Sequence, residues 1–196
     1  FIIDGNSRNV SLFNWQLPYQ LDDMIVYQKS FDLYHTVYRM IKLLAHFKED
    51  GLIEIDRLRI WDYYLLYPNK MQKIKLKQNE NDIRKIIRNF ISSKDNPYER
   101  VLNDRKMFEK IKPYQMTAIK CLASYGIINK DYLSENRITS ISSNILTEYE
   151  DDFKNLSVQE ENAIKLLTSH FYKVPLFGVD GLKSRTGLLE SKYDAQ

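Results

Sequence analysis

The segment RLRIWDYYLLYPNK, residues 57–70, carries Trp61 and three tyrosines within seven positions. As an α-helix it would present one stripe of Leu58, Trp61 and Leu65 and a second stripe that includes Tyr63 and Tyr67. Apolar groups would then point in most directions, so the helix must be buried on two sides or must keep one side for a partner. We expect the first stripe to pack inside the domain. The second should reach either another helix layer or a partner subunit.

A single carboxylate, Asp62, lies among these aromatic residues. A buried aspartate needs a cation or several hydrogen-bond donors, and Arg59 precedes it by three residues, within reach on a helix. The sequence therefore predicts a structural ion pair between Arg59 and Asp62. The alternative is a general base at Asp62, assisted by Arg59 or His35.

The composition favours long regular elements. The 196-residue chain has only six glycines and five prolines, against 14 tyrosines and nine phenylalanines. Its 43% of hydrophobic residues is ordinary for a globular protein with a core of its own. We therefore predict a mainly α fold with short β-strands.

The stretch SFDLYHTVYRMIKLLAHFKEDG predicts the helix that precedes the aromatic segment. Its helical period includes Tyr34 and Tyr38. Ser30 is the predicted N-cap of this helix and Gly51 its predicted C-terminal stop. The short alternating piece LIEI follows, and then the aromatic helix, which Asp56 caps and Pro68 ends.

Helix, short extended piece and helix in close succession are typical of a helix-turn-helix or winged-helix module, although a plain helical bundle fits nearly as well. The next piece, MQKIKLKQ, alternates lysines with apolar residues, which predicts an edge strand or a β-wing. On this basis we divide the chain into an N-terminal extension (1–20), a helix-turn-helix or winged-helix-like part (21–100) and a helical C-terminal part with a glycine-containing tail (101–196). One continuous domain is the alternative.

The chain beyond residue 80 shows several local signals. An amphipathic helix begins at Asn81, Asp104 can cap the helix RKMFEKIK, and Pro113 is predicted to open a separate helix. RITSISSN is the best strand candidate of this part. Ser157 and Glu160 form a capping-box pair that opens a further helix, and the tail is expected to form turns with a short strand.

Positive charge is concentrated in one region, because residues 70–89 hold seven lysines or arginines against two acids. Such a face can steer the chain toward a nucleic acid or an acidic protein face, and a solvated surface is the plainer alternative. A glycine-flanked run in the tail offers two further cations to a phosphate or a carboxylate. The predicted contact residues are Lys73, Lys75, Lys77, Arg84, Lys85, Arg88, Lys183 and Arg185.

The sequence lacks the signatures of common catalytic sites. It has no HExxH, no GxSxG elbow, no GxxxxGK[ST] loop and no cysteine pair. The single Cys121 lies in an apolar stretch and is expected to be a small buried hydrophobe. We predict no enzymatic activity, no cofactor and no metal. No apolar run approaches the roughly 18 residues of a membrane helix, so we expect a cytoplasmic protein without a membrane partner.

Four stretches together resemble a known family: FDLYHTVYRMIKLL, DRLRIWDYYLLYP, NPYERVLNDRKMFEKIKPYQMTAIKCLASYGII and GLKSRTGLLESKYD. The family is the middle component of bacterial ABC-three-component defence systems, which includes the small subunit of Lamassu-type anti-phage and anti-plasmid complexes. The resemblance extends from about Met24 to Asp194. RLRIWDYYLLYP and GLKSRTGLLE are its most specific parts.

The resemblance implies a non-enzymatic subunit that bridges a large SMC-like ABC ATPase, which senses DNA, and an effector nuclease. Double-stranded DNA would then be reached through the complex. The aromatic surplus suits this role, because interfaces favour Tyr, Trp and Arg. The alternative hypothesis is a stand-alone winged-helix regulator that binds DNA through the Lys73–Arg88 region.

Overall fold

A computed structural model describes residues 28–48, 51–94, 101–139 and 156–189. The helices in these ranges are α1 (Leu33–His46), α2 (Ile55–Leu66), α3 (Asn81–Phe90), α4 (Asp104–Ser124), α5 (Val158–Lys165), α6 (Phe171–Lys173) and α7 (Leu182–Thr186). Short 3-10 turns lie at Lys29–Phe31, Pro68–Lys73 and Lys130–Glu135. The protein is therefore mainly helical, as the composition predicts.

The small sheet has two antiparallel strands, β1 (Ile53–Glu54) and β2 (Arg137–Ile138). Ile53 pairs with Ile138, and both side chains are buried. The two strands coincide with the stretches LIEI and RITSISSN, so both predicted strands are confirmed in their first or central residues. A helical domain with a two-stranded sheet is compatible with a winged-helix-like arrangement.

Helix α1 differs at both ends from its prediction. Asp32, not Ser30, is the N-cap, and its carboxylate accepts a hydrogen bond from the backbone N–H of His35. Ser30 lies in the preceding 3-10 turn. The helix ends at His46, five residues before Gly51. Its C-cap is Phe47, whose N–H donates to the carbonyl of Leu44.

Helix α2 contains the aromatic segment and is buried on several sides. Every residue from Ile55 to Leu65 except Asp56 is buried. The helix stops before Pro68, which opens the following 3-10 turn. The ring centroids of Trp61 and Phe47 are 6.0 Å apart. Helix α2 contacts α1, α4 and α5. The aromatic helix is thus enclosed by helices from both halves of the sequence.

The lysine-rich piece 71–78 forms no strand, so the predicted edge strand or wing is wrong here. Its first part belongs to the 3-10 turn that ends at Lys73, and the rest is an extended segment bonded to α7 through the N–H of Lys75 and the carbonyl of Arg185. Met71 and Ile74 are both buried. Their spacing of three residues suits a 3-10 turn, in which side chains three apart lie on one side.

Helix α4 runs through Pro113 without a break, so the separate helix predicted there does not exist. Pro113 is exposed, whereas Phe108, Ile111 and Gln115 form one buried stripe that passes it. Packing of this stripe offsets the loss of the backbone hydrogen bond that the proline cannot donate. Asn103, not Asp104, is the N-cap and accepts from the N–H of Lys106.

The last helices complete the core. The predicted capping box at the start of α5 is confirmed, because the Ser157 hydroxyl and the Glu160 carboxylate each accept from the other residue's backbone N–H. A π-helical stretch, Leu166–His170, continues α5 into α6. In the described part of the tail, residues 173–189, α7 forms and the predicted strand does not. One buried apolar cluster extends from Met40 to Leu188, so both halves of the chain build the same core.

Candidate functional site

Asp62 lies at the centre of a buried polar network and has no exposed surface. Its Oδ1 accepts from Nε of Arg39 at 2.7 Å, and its Oδ2 accepts from the same guanidinium at 3.3 Å. The amide of Gln115 donates to Oδ2 at 2.8 Å. The network therefore links α1, α2 and α4 through one carboxylate.

The predicted pair of Arg59 with Asp62 is wrong. Arg59 donates to the carboxylate of Asp56 at 2.9 Å and to Oε1 of Gln115 at 3.1 Å. Side chains on a helix lean toward its N-terminus, so Arg59 reaches the acid three residues earlier, not the one three residues later. Asp62 instead takes its cation from Arg39, which the sequence places 23 positions away.

The same geometry bears on the alternative of a general base at Asp62. Its carboxylate has no solvent-accessible surface and already accepts three hydrogen bonds from Arg39 and Gln115. The side chain bonds that Arg59 makes go to Asp56 and Gln115. His35 lies in the first turn of α1. In the described structure this carboxylate joins α2 to α1 and α4.

Tyr63 and Tyr67 are core residues, which corrects their assignment to a partner interface. Tyr63 is 0% exposed and Tyr67 is 6% exposed. The Tyr63 ring lies 5.9 Å from that of Phe108 on α4 and 5.3 Å from that of Tyr67. Of the two outcomes expected for this stripe, the second helix layer is the one observed. Trp61, also 0% exposed, lies in the core as predicted.

The Tyr63 hydroxyl donates to Oδ1 of Asp104 at 3.0 Å. Burial, with the nearby Asp104 carboxylate, raises the pKa of Tyr63 far above its usual value of 10. Lys73, 62% exposed, donates to the other oxygen of the same carboxylate at 2.8 Å. Asp104 thus connects the core tyrosine to one of the predicted surface cations.

Lys183 and Arg185 are buried, which corrects their assignment to nucleic-acid or partner contacts. Lys183 lies 3.1 Å from Oδ2 of Asp56, and its Nζ lies 4.4 Å from the centre of the Phe177 ring. Arg185 donates to both oxygens of Glu80 at 2.9 Å. The helix α7 turns both cations inward, where each is stabilised by a carboxylate.

The pairing with Arg185 stabilises the ionised form of Glu80. Burial alone would raise the pKa of its carboxyl, but the hydrogen bonds from Arg185 and from the N–H of Lys77 lower it overall. Nε2 of His170 also lies 3.3 Å from Oε1 of Glu80. The acid therefore ties α7 and the π-helical stretch to the start of α3.

The other six predicted cations lie at or near the surface, and most have partners. Lys77 lies 2.8 Å from Asp180, and Lys85 lies 3.8 Å from Asp82. Arg84 donates to Oδ1 of Asn81 and to the carbonyl of Leu76. Lys75 and Arg88 are exposed. The positive face that the sequence indicates is thus partly neutralised by acids that fold onto it.

A cleft of about 600 Å³ lies beside the two-stranded sheet. We call it the ribbon cleft, and its lining residues are Leu52, Glu54, Ile55, Asp56, Glu135, Asn136, Arg137, Phe177 and Lys183. Leu52 and Phe177 are 44% and 49% exposed. The cleft therefore combines exposed apolar side chains with charged groups of both signs.

A second apolar feature is the tyrosine face, formed by Tyr34 and Tyr38 on α1. Tyr34 is 85% exposed, although its place in the helical period suggested packing against the core. Nζ of Lys42 lies 4.5 Å from the centre of the Tyr38 ring and 3.2 Å from Oε1 of Glu160. The two tyrosines are four residues apart, a spacing that places them on one side of a helix.

A family model for the ABC-three component (ABC-3C) system Middle Component 5 matches residues 25–194. The chain belongs to this family. The match covers every helix and strand described above, and it confirms the resemblance at the level of an ABC-3C middle component. Neither the curated proteins nor the solved structures contain a match to the chain.

As an ABC-3C middle component, the protein is an accessory part of a multi-subunit system. Within the four described ranges, no three or more histidine, cysteine, aspartate or glutamate side chains gather where they could hold a metal ion. None of the helices in those ranges is long and apolar enough to cross a membrane.

Neither the ribbon cleft nor the tyrosine face could be recognised as an exposed surface from the sequence of this middle component. The ribbon cleft brings together residues 52–56, 135–137 and 177–183, and no local pattern predicts that these three pieces meet. The tyrosine face did carry a signal, since Tyr34 and Tyr38 are four residues apart. An aromatic pair at helical spacing is, however, equally typical of a core face.

Proposed function

We propose that the chain is a non-enzymatic bridging subunit that joins an SMC-like ABC ATPase to an effector nuclease in a bacterial anti-phage or anti-plasmid complex of the Lamassu type. Membership of the ABC-3C middle-component family carries the proposal, because a middle component works with other components. In this role the ATPase senses DNA, the nuclease acts on it, and the middle component holds the two together.

The buried network supports a structural role for the ionisable groups that chemistry would need. Asp62, the carboxylate set among aromatic rings, has no exposed surface and is bonded to Arg39 and Gln115. Arg57 donates to Glu54 and to three backbone carbonyls, two in α6 and one directly after it. These groups stabilise helix packing, and this structural role is all that a bridging subunit requires of them.

A bridge also needs two contact surfaces that are apart from each other, and the fold offers such a pair. Tyr34 lies in the first turn of α1, which is about 21 Å long. The ribbon cleft lies near the opposite end, since Gly51, next to Leu52, packs against Tyr172, whose ring is 4.8 Å from that of Phe47. Exposed aromatic and apolar side chains of this kind are the usual anchors of protein interfaces.

The stand-alone winged-helix regulator finds less support in the same observations. The segment that the sequence offered as a wing, residues 71–78, forms a 3-10 turn and an extended piece bonded to α7. Two of the cations assigned to nucleic-acid contacts, Lys183 and Arg185, are buried beside carboxylates. Family membership favours a subunit of a complex over a regulator that acts alone.

Co-expression of the chain with the ATPase and the nuclease of the same system tests the bridging role. We expect the affinity-tagged nuclease to retain the ATPase only when the middle component is present. Tyr34→Asp should release one partner and Phe177→Asp the other, because a buried unpaired charge at an interface costs several kcal/mol. Tyr125→Asp is the matched control, since Tyr125 is also an exposed tyrosine but lies at the end of α4.

Two results would overturn the proposal. One is an ATPase and nuclease that associate equally well without the middle component. The other is a middle component that co-purifies with neither protein, while its circular dichroism and thermal unfolding show a folded chain.

A further inference from the structure

A second, smaller cleft lies between α3 and the extended segment that precedes it. Its volume is about 220 Å³. We call it the basic notch, and its lining residues are Met71, Gln72, Ile74, Leu76, Arg84, Ile87 and Arg88. The apolar members Met71, Ile74 and Ile87 are buried and form its floor. The two arginines are therefore its charged groups.

Helix geometry places Arg84 and Arg88 together on α3 and the nearest acid of that helix, Asp82, away from both arginines. Successive residues on an α-helix are rotated by about 100°, so Arg84 and Arg88 lie about 40° apart around α3 and Lys85 about 60° beyond Arg88. Asp82 lies about 160° from Arg84. Glu80, the next acid in the chain, has both oxygens bonded to Arg185 inside the fold. The notch therefore keeps a net positive charge.

The donors of the notch suit phosphate groups. A guanidinium carries five N–H donors in a planar fork that matches phosphate oxygens. Arg84 uses one nitrogen for Asn81 and another, at 3.4 Å, for the carbonyl of Leu76, which fixes the direction of its side chain. Arg88 is exposed one turn further along the helix. With Arg84 held in place and Arg88 exposed beside it, the two guanidinium groups can contact the backbone of one nucleic-acid strand.

The absence of exposed large apolar groups from the lining decides the kind of partner. Protein interfaces are anchored by aromatic or aliphatic side chains, and single-stranded nucleic acids stack their bases on aromatic rings. The lining contains no aromatic residue. Phe90, which is 49% exposed, lies about 120° from Arg84 around α3. Backbone contacts to a duplex need only the cations.

We propose that the basic notch binds the phosphate backbone of double-stranded DNA, independently of sequence. The lysines around it, Lys73, Lys77 and Lys85, have exposed side chains and add to the attraction, although each is close to one carboxylate. This inference does not rest on the proposed bridging function. The isolated chain binds DNA through the notch whether or not it joins two other subunits.

The test measures binding of the full chain to a fluorescent 30-base-pair duplex at several salt concentrations, starting near 50 mM. Each phosphate contact adds about 0.9 to the slope of log K against log salt. We expect Arg84→Glu/Arg88→Glu to lower the affinity roughly tenfold or more and the slope by about 2. Arg84→Lys/Arg88→Lys should keep the slope, because it keeps both charges.

A matched control reverses two other exposed cations, as Lys112→Glu/Lys120→Glu on α4. It makes the same change in net charge and should leave the slope within the error of the wild type. Arg88→Glu alone keeps the contact of Arg84 with Leu76 and guards against a folding defect. It should lower the slope by about 1 with unchanged thermal unfolding.

Four outcomes would overturn the proposal. The wild type fails to bind the duplex near 50 mM salt, or the α4 control lowers binding as much as the notch variant does. Alternatively, the chain binds polyglutamate and not DNA, which would make the notch a surface for an acidic protein. Tighter binding of a single strand than of the duplex would also count against it.

Discussion

Removal of the Asp62 carboxylate should be among the most damaging single changes in this protein. In Asp62→Ala the guanidinium of Arg39, only 8% exposed, loses the carboxylate that lies 2.7 Å from its Nε. The amide of Gln115 loses its 2.8 Å acceptor at the same time. A largely buried charge is then left beside a small cavity.

The expected size follows from the contacts. Breaking a buried ion pair by removing one partner costs about 3–5 kcal/mol, chiefly because the remaining charge is uncompensated. For a chain of this length that cost corresponds to a fall in Tm of roughly 6–20 °C. Asp62→Asn should cost less, but still about 2 kcal/mol, because an amide has one acceptor oxygen where Asp62 accepts three hydrogen bonds.

Urea unfolding followed by circular dichroism measures these free energies. Asp82→Asn is the control, because the Asp82 side chain is 93% exposed and its pair with Lys85 is long, at 3.8 Å. The double variant Arg39→Met/Asp62→Leu removes both charges and should be more stable than Asp62→Ala. A loss below about 1 kcal/mol in Asp62→Ala, or a double variant less stable than Asp62→Ala, would refute this account.

Three further changes test other contacts. Glu80→Gln should destabilise the chain at pH 7 and less so in acid. Because folding lowers the pKa of Glu80, its carboxylate contributes to stability above about pH 4.5, and this contribution is lost as the pH falls further. The unfolding curves of wild type and variant should therefore converge below that pH. Gly181→Ala should cost about 1–3 kcal/mol in thermal unfolding, because the new Cβ would overlap the carbonyl of Phe177. Tyr63→Ala should cost about 3–5 kcal/mol, as much as Trp61→Ala, and an effect below 1 kcal/mol would show that this ring is not core.

The parts of the fold that depend on neighbouring residues could be predicted from the sequence. Pro68 stops α2, Ser157 and Glu160 open α5, and the piece LIEI contains β1. Each of these signals acts within about one helical turn, so the local sequence is sufficient to determine it. The family resemblance rested on longer stretches of the same kind.

Partners far apart in the chain could not be predicted in this way. The sequence predicts Arg59 as the partner of Asp62 because only near neighbours can be judged from a sequence. The partner in the fold, Arg39, lies on another helix. The sequence likewise predicts a surface position for Lys183 and Arg185, because cations are usually exposed. Their acids come from α2 and from the residue just before α3, more than 100 positions away. Such pairs depend on how helices pack, which is a property of the whole chain.

The contacts of Arg57 have a consequence for how the protein is made. This buried arginine of α2 donates to the carbonyls of Phe171, Tyr172 and Val174, which are synthesised more than 100 residues later. Until those residues leave the ribosome, the guanidinium lacks these acceptors and the aromatic helix lacks part of its cover. We therefore expect nascent or truncated chains to stay unfolded and to be degraded, so that only complete middle components are available for assembly.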